Sequence, residues 1–141
     1  MEQMSDHSKL RERGDMGEEA VAAFLTDHRC EIVARNYIAY GGGEIDIIAE
    51  NEARILFVEV KSRQVSPGAA HYGRPAAAVT WDKQKRIISA ARAYLNAHPT
   101  DKAIRFDVAE VFLTRDDPPA VLDINYIKGA FIKRKGRNSY D

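Results

Sequence analysis

Hydrophobic positions along this chain switch between two periods. From Asp15 to His28, the residues Val21, Phe24, Leu25 and His28 recur at helical spacing, which predicts an amphipathic helix. Asp15 can cap its start with Glu18 three residues on. Glu31 to Tyr37 has β-branched content in Ile32 and Val33 and predicts a short strand, after which Gly41-Gly42-Gly43 breaks the chain. Glu44 to Ala49 and Arg54 to Lys61 form the clearest strand pair, joined as a hairpin by the polar Glu50-Asn51-Glu52-Ala53. Residues 64 to 79 contain Pro67, Gly68, Gly73 and Pro75 and predict a long loop, a kind of segment that is often functional. Thr80 caps a second helix to about Ala97, with Ile87, Ile88, Ala91, Tyr94 and Leu95 on its apolar face and Pro99 just past its end. Ile104 to Leu113 and Val121 to Ile127 predict two more strands, separated by Asp116-Asp117-Pro118-Pro119. The order helix, three strands, helix, two strands implies an α/β domain with a mixed central sheet flanked by helices. Its expected limits are 15–132, after a flexible N-terminal segment (1–14) and before a basic, mobile tail (133–141).

Composition narrows the class. A chain of 141 residues with 45% hydrophobic and 30% charged residues fits one globular domain. The single cysteine, Cys30, excludes an internal disulfide and a cysteine-based zinc cluster, and its apolar neighbours predict a buried, inert thiol. Met1 to Arg13 lacks the apolar run of a signal peptide, and no stretch reaches the ~20 apolar residues of a membrane span. A cytoplasmic protein is therefore expected, with no membrane partner. Formal net charge is zero, which argues against nonspecific coating of nucleic acid. The distribution is uneven, because Lys128 to Arg137 and Lys83 to Arg92 carry basic residues without a carboxylate, whereas Glu18, Glu44, Asp46 and Glu59 mark acidic points.

The hairpin carries the candidate chemistry. Side chains alternate along a strand, so Phe57, Glu59 and Lys61 share one face and Leu56, Val58 and Val60 the other. Charged groups inside an apolar strand are costly unless paired or bound to metal. A turn centred near Asn51 and Glu52 places Asp46 opposite residues 57 to 59, close to Glu59. Two adjacent carboxylates repel, and a divalent cation removes the conflict. Asp46 and Glu59 could hold Mg²⁺ (or Mn²⁺), with the Val60 carbonyl as a third ligand, where such an ion would activate water and polarise a phosphate. Lys61 could orient that water or balance phosphoryl charge. A solvated Glu59–Lys61 surface pair fits the spacing equally well.

The arrangement D-(x)12-E-V-K after a helix bearing Glu resembles the PD-(D/E)XK nuclease superfamily, and more narrowly the YraN-like family of small bacterial proteins. The resemblance is carried by G-E-E-A-V-A-A-F-L at 17–25, R-N-Y at 35–37, G-G-E-I-D-I-I-A at 42–49 and F-V-E-V-K-S-R at 57–63. It continues through P-A-A-A-V-T at 75–80, K-Q-K-R at 83–86, R-F-D-V at 105–108 and G-A-F at 129–131. It implies a restriction-endonuclease-like αβββαβ core and metal-dependent hydrolysis of phosphodiester bonds in nucleic acid, DNA favoured over RNA. By position it implies catalytic roles for Glu18, Asp46, Glu59, Lys61 and Gln84, with Glu18 reaching the metal through water and Gln84 supporting the lysine or the attacking water. No Pro precedes Asp46, and Ala77 stands where an acidic residue is expected.

Around that site, Arg35, Arg63 and Arg74 are candidate phosphate contacts. His71 and Tyr72 lie in the long loop, and Trp81 and Tyr94 read as packing residues. Gly41–Gly43 lacks the Lys and helix of a phosphate loop, and Glu44 is expected at the site's edge rather than as a ligand. Apolar residues such as Phe131 and Ile132 leave room for a homodimer. Two other functions fit the same features: a nucleic-acid binder that keeps the fold without turnover, and a protein-interaction scaffold with structural carboxylates.

Overall fold

The computed structural model describes residues 6–66, 68 and 79–131. Seven elements follow in order: α1 (Asp6–Asp27), β1 (Glu31–Ile38), β2 (Glu44–Glu50), β3 (Arg54–Gln64), α2 (Trp81–Ala97), β4 (Ala103–Leu113) and β5 (Val121–Phe131). The strands form one sheet in the order β1-β2-β3-β4-β5. Every neighbouring pair is antiparallel except β3 and β4, which run parallel because α2 carries the chain back across the sheet. This is the expected mixed sheet with an αβββαβ order at its centre.

Local chemistry fixes the connections. At the β2–β3 turn, Asn51 Oδ1 accepts from the backbone N–H groups of Ala53 (2.9 Å) and Arg54 (2.8 Å), an Asx turn. Thr80 caps α2 as its sequence predicts, its Oγ1 accepting from Lys83 N at 3.2 Å. Helix α1 ends where Arg29 turns left-handed (φ 66°) and Cys30 N donates to Leu25 O at 3.0 Å.

The sheet is covered on both faces. On one, Ile87, Ala90, Ala91 and Tyr94 of α2 meet Ile45, Ile48, Ile55, Phe57, Phe106 and Val108. On the other, Val21, Ala22 and Leu25 of α1 meet Ile47, Ala49, Leu56, Val58, Ala109 and Val111. Central strands wrapped in this way read as nearly unbroken apolar runs, and a charge within them stands out.

Several elements differ from the sequence reading. Helix α1 begins at Asp6, so residues 6–14 are helical rather than part of a flexible segment. That added stretch is tied down: Arg13 donates to Gln64 Oε1 at 2.7 Å, and Lys9 lies 3.8 Å from Asp117. Strand β5 runs on to Phe131, which is buried against Phe106 (ring centroids 5.1 Å apart) instead of forming an exposed edge. Cys30 is half-buried rather than buried, and the surrounding apolar atoms push its thiol pKa up. Arg74, His71, Tyr72, Ala77, Ile132 and the tail from Lys133 lie outside the described residues. No helix among the described residues is long and apolar enough to cross a membrane.

Candidate active site

The site sits where β2 parts from β3. Their ladder pairs Glu50 with Ile55, Ala49 with Leu56, Ile48 with Phe57 and Ile47 with Val58, and ends there. The next residue on each strand is acidic, Asp46 on β2 and Glu59 on β3. In place of another ladder bond, Asp46 Oδ2 accepts from Val60 N at 2.8 Å. In an extended strand the N–H and C=O of one residue leave by the same edge. The Val60 carbonyl therefore also faces the gap in which the two carboxylates meet.

Burial makes this pair electrostatically unusual. Glu59 is only 5% exposed. Asp46 has its pKa raised from 3.8 to about 8, first by desolvation, then by the charge and hydrogen bond of Glu59, with a smaller push from Glu18. The hydrogen bond from Val60 works in the opposite direction. Glu18 is also raised, mainly by burial, while Asn36 and Arg35 lower it. Its Oε1 is buried with no hydrogen-bond partner.

Glu18 reaches the gap because of its neighbour. Gly17 is buried against β3, and a Cβ there would collide with Ser62 Oγ and approach Val60 Cγ1 at 3.5 Å. Only glycine lets the α1 backbone come this close. Two clefts open on either side of the carboxylates. One, of about 300 Å³, is lined by Ile38, Gly43, Glu44, Asp46, Glu59, Lys83, Arg86 and Ile87. The other, of about 310 Å³, runs under α1 past Gly14, Glu18, Asp46, Glu59, Val60, Ser62 and Arg63.

Asp46, Glu59, Glu18 and Val60 converge. Lys61 follows Glu59 on the same face of β3 and pairs across the parallel ladder with Glu110. Among the described residues, however, the ion pairs of Glu59 and Glu110 are made by Lys83 and Arg63. Gln84 does not enter the site: its side-chain amide donates to Val79 O at 2.9 Å, back over the start of its own helix. The helical phase explains this. Position 83 lies in line with Ile87, Ala90 and Tyr94 on the sheet-facing stripe, and position 84 is turned about 100° away. Arg35 pairs at the surface with Glu19 at 2.9 Å. Arg63 turns inward, its Nε 3.3 Å from the buried Glu110 and its guanidinium over the Phe112 ring. Glu44 is exposed at the cleft edge, as expected. Tyr94 is a packing residue, edge-on to Tyr37 and Phe57.

Lys83 is the residue that sequence reasoning missed. Its Nζ lies 2.8 Å from Glu59 Oε2, and Glu59 in turn raises its pKa. The available signal was a cation continuing the apolar stripe of α2 by one turn toward its N-terminus. Gly17 and Ser62 were missed too, since a close helix–strand approach leaves no periodic trace.

The donor set suits a hard divalent cation. Two carboxylates, the backbone carbonyl edge of Val60 and the unpartnered Glu18 oxygen offer only oxygen donors. No three His, Cys, Asp or Glu side chains among the described residues are already gathered as a closed cage. Mg²⁺ does not require one, because it keeps several waters and binds through one or two carboxylates.

A mixed five-stranded sheet with this order, and a carboxylate pair at the parting of its second and third strands, defines a restriction-endonuclease-like α/β domain. Comparison with known proteins places the chain more narrowly. Residues 17–111 match the model of the Uncharacterised protein family UPF0102. UPF0102 proteins of Chlorobium phaeobacteroides and Clostridioides difficile are 40% and 38% identical to it over 121 and 122 residues. Those alignments cover 84% and 86% of this chain, and 91% and 97% of the relatives. A relative from Solibacter usitatus is 38% identical over 120 residues, 84% of either chain. The chain belongs to the UPF0102, or YraN-like, family.

Proposed function

We propose that this protein is a divalent-metal-dependent nuclease that hydrolyses phosphodiester bonds in nucleic acid, with DNA preferred over RNA. The observation that carries this reading is the buried meeting of Asp46 and Glu59, in which Asp46 is driven up to about 8. A fold does not spend so unfavourable a contact on stability alone, and perturbed carboxylates in a cleft mark functional sites. Asp46, Glu59 and the Val60 carbonyl would hold Mg²⁺ or Mn²⁺, and Glu18 would complete the oxygen shell. Bound there, such an ion supplies Lewis acidity to a phosphoryl oxygen and a more acidic water.

The chain's own groups do the rest. Lys61, on the face of β3 that bears Glu59, balances charge on the phosphoryl oxygens or orients the attacking water. Arg86, in the wall of the first cleft beside the N-terminal turn of α2, offers a cation to a neighbouring phosphate. The clefts on both sides of the carboxylates give a strand room to pass.

The test is a substrate panel of single-stranded, duplex, flapped and four-way-junction DNA plus RNA, with Mg²⁺ or Mn²⁺. Asp46→Ala and Glu59→Ala proteins are run alongside. Cleavage of at least one substrate, lost in both variants, is expected. Gel-shift binding without cleavage of any substrate would instead favour a binder that keeps the fold. Neither binding nor cleavage would overturn the proposal.

A further inference from the structure

The cation that meets the acidic gap in this structure belongs to the chain itself. Lys83 Nζ lies 2.8 Å from Glu59 Oε2, and Lys83 lines both clefts together with Asp46 and Glu59. A Glu59 carboxylate this deeply buried needs a counter-charge, because an unpaired buried charge is costly. The pairing is asymmetric. Glu59 is fixed in a central strand at 5% exposure, whereas the Lys83 side chain is 53% exposed on a flexible stem. Of the two, the lysine can leave.

We infer that Lys83 is a built-in counter-ion that competes with the divalent cation for Glu59. It compensates the acidic gap when metal is scarce and must swing toward solvent when metal binds, so it sets the metal concentration at which the site fills. The inference rests on the metal reading proposed above. Lys83 is thereby a positioning residue rather than a catalytic one. Lys85, two residues along α2, serves as its control. It carries the same charge but pairs with Asp82 at 3.5 Å and lies over the Trp81 ring.

The experiment is a metal titration of the full chain, with Mg²⁺ by calorimetry and Mn²⁺ by electron paramagnetic resonance. It compares wild type, Lys83→Met, Lys83→Gln, Lys85→Ala and Asp46→Ala. Lys83→Met preserves the apolar stem, and Lys83→Gln gives a second route should the methionine protein fold poorly. Both Lys83 variants should bind metal about tenfold more tightly or better than wild type. Lys85→Ala should stay within about twofold of wild type, since exposed charges at a distance are screened. Metal bound by a Lys83 variant but not by wild type would support the same conclusion. If wild type binds, Asp46→Ala does not, and the Lys83 variants are no tighter than wild type, the competition is refuted while the metal site stands. If no protein in the series binds metal, both fall.

Discussion

Replacing Asp46 by Asn should stabilise the metal-free protein, and the gain should depend on pH. In the folded chain the Asp46 carboxyl keeps its proton up to about pH 8, whereas in an unfolded chain it releases it near 3.8. Between those values unfolding releases a proton, so the stability of the wild type falls as pH rises through the window. Each pH unit is worth about 1.4 kcal/mol, which sets a ceiling of about 5–6 kcal/mol across the window. Lys83, 2.8 Å from Glu59, offsets part of the charge that Asp46 meets, so about 2–4 kcal/mol is the expected cost by pH 8.5. Asn removes the titration while keeping the contacts. Its Oδ1 can accept from Val60 N, and its Nδ2 can donate to Glu59, as a protonated Asp46 would. Urea unfolding in EDTA, repeated from pH 4 to 8.5, should give nearly equal stabilities at pH 4 and a widening advantage for Asp46→Asn above it. Added Mg²⁺ should narrow the difference by stabilising only the wild type. Parallel curves for the two proteins across the whole range would refute the claim that Asp46 is strained by Glu59 and burial.

Three further outcomes follow from other contacts. Gly17→Ala should destabilise the fold by about 1–3 kcal/mol, because its methyl group collides with Ser62 Oγ; combining it with Ser62→Gly should recover most of the loss in a double-mutant cycle followed by thermal melting. Asp107→Asn should cost about 2–4 kcal/mol: Asp107 is fully buried and accepts from Arg105 (2.8 and 3.0 Å), Tyr126 Oη (2.7 Å) and Gly129 N (2.9 Å). Denaturant unfolding measures that cost, and hydrogen exchange should show loosening of β5 first. Lys61→Ala should lower cleavage by about 10²–10³-fold while leaving the Mn²⁺ affinity within about twofold, since it acts on transition-state charge rather than as a ligand; a loss of metal binding in that variant would reassign the lysine.

Much of the fold is written in hydrophobic periodicity. Val21 and Leu25 on α1, Ile87, Ala91 and Tyr94 on α2 and the apolar runs of β3 and β4 lie in the core because each follows the spacing of its element. The limits of elements are less legible where tertiary contacts set them. Residues 6–14 carry no apolar stripe, and their helix is anchored by polar partners far along the chain, Gln64 and Asp117. The extension of β5 depends on Asp107, whose side chain captures Gly129 N across the sheet. Local propensity contains nothing of either contact.

The site divides in a similar way, and the division has a physical cause. Asp46 and Glu59 are readable because a hairpin register is simple arithmetic on its turn, and the ladder observed from Glu50–Ile55 to Ile47–Val58 keeps that arithmetic up to the last paired residues. What a register cannot convey is that pairing stops there. Were the ladder to continue, Val60 N would lie near backbone, and the two acids would be neighbours on an unbroken sheet. Because β2 leaves, Asp46 takes the place of the missing strand as acceptor for Val60 N, and the freed edge becomes the wall of a cleft. The same opening admits Glu18 from one face and Lys83 from the other. Each comes from a helix whose rotational phase, set by Gly17 against Ser62 and by Ile87 in the core, decides which polar residue is delivered. Gln84 and Lys83 differ by one position in sequence and by a third of a turn in space. That rotation turns the amide back toward Val79 and brings the ammonium to Glu59.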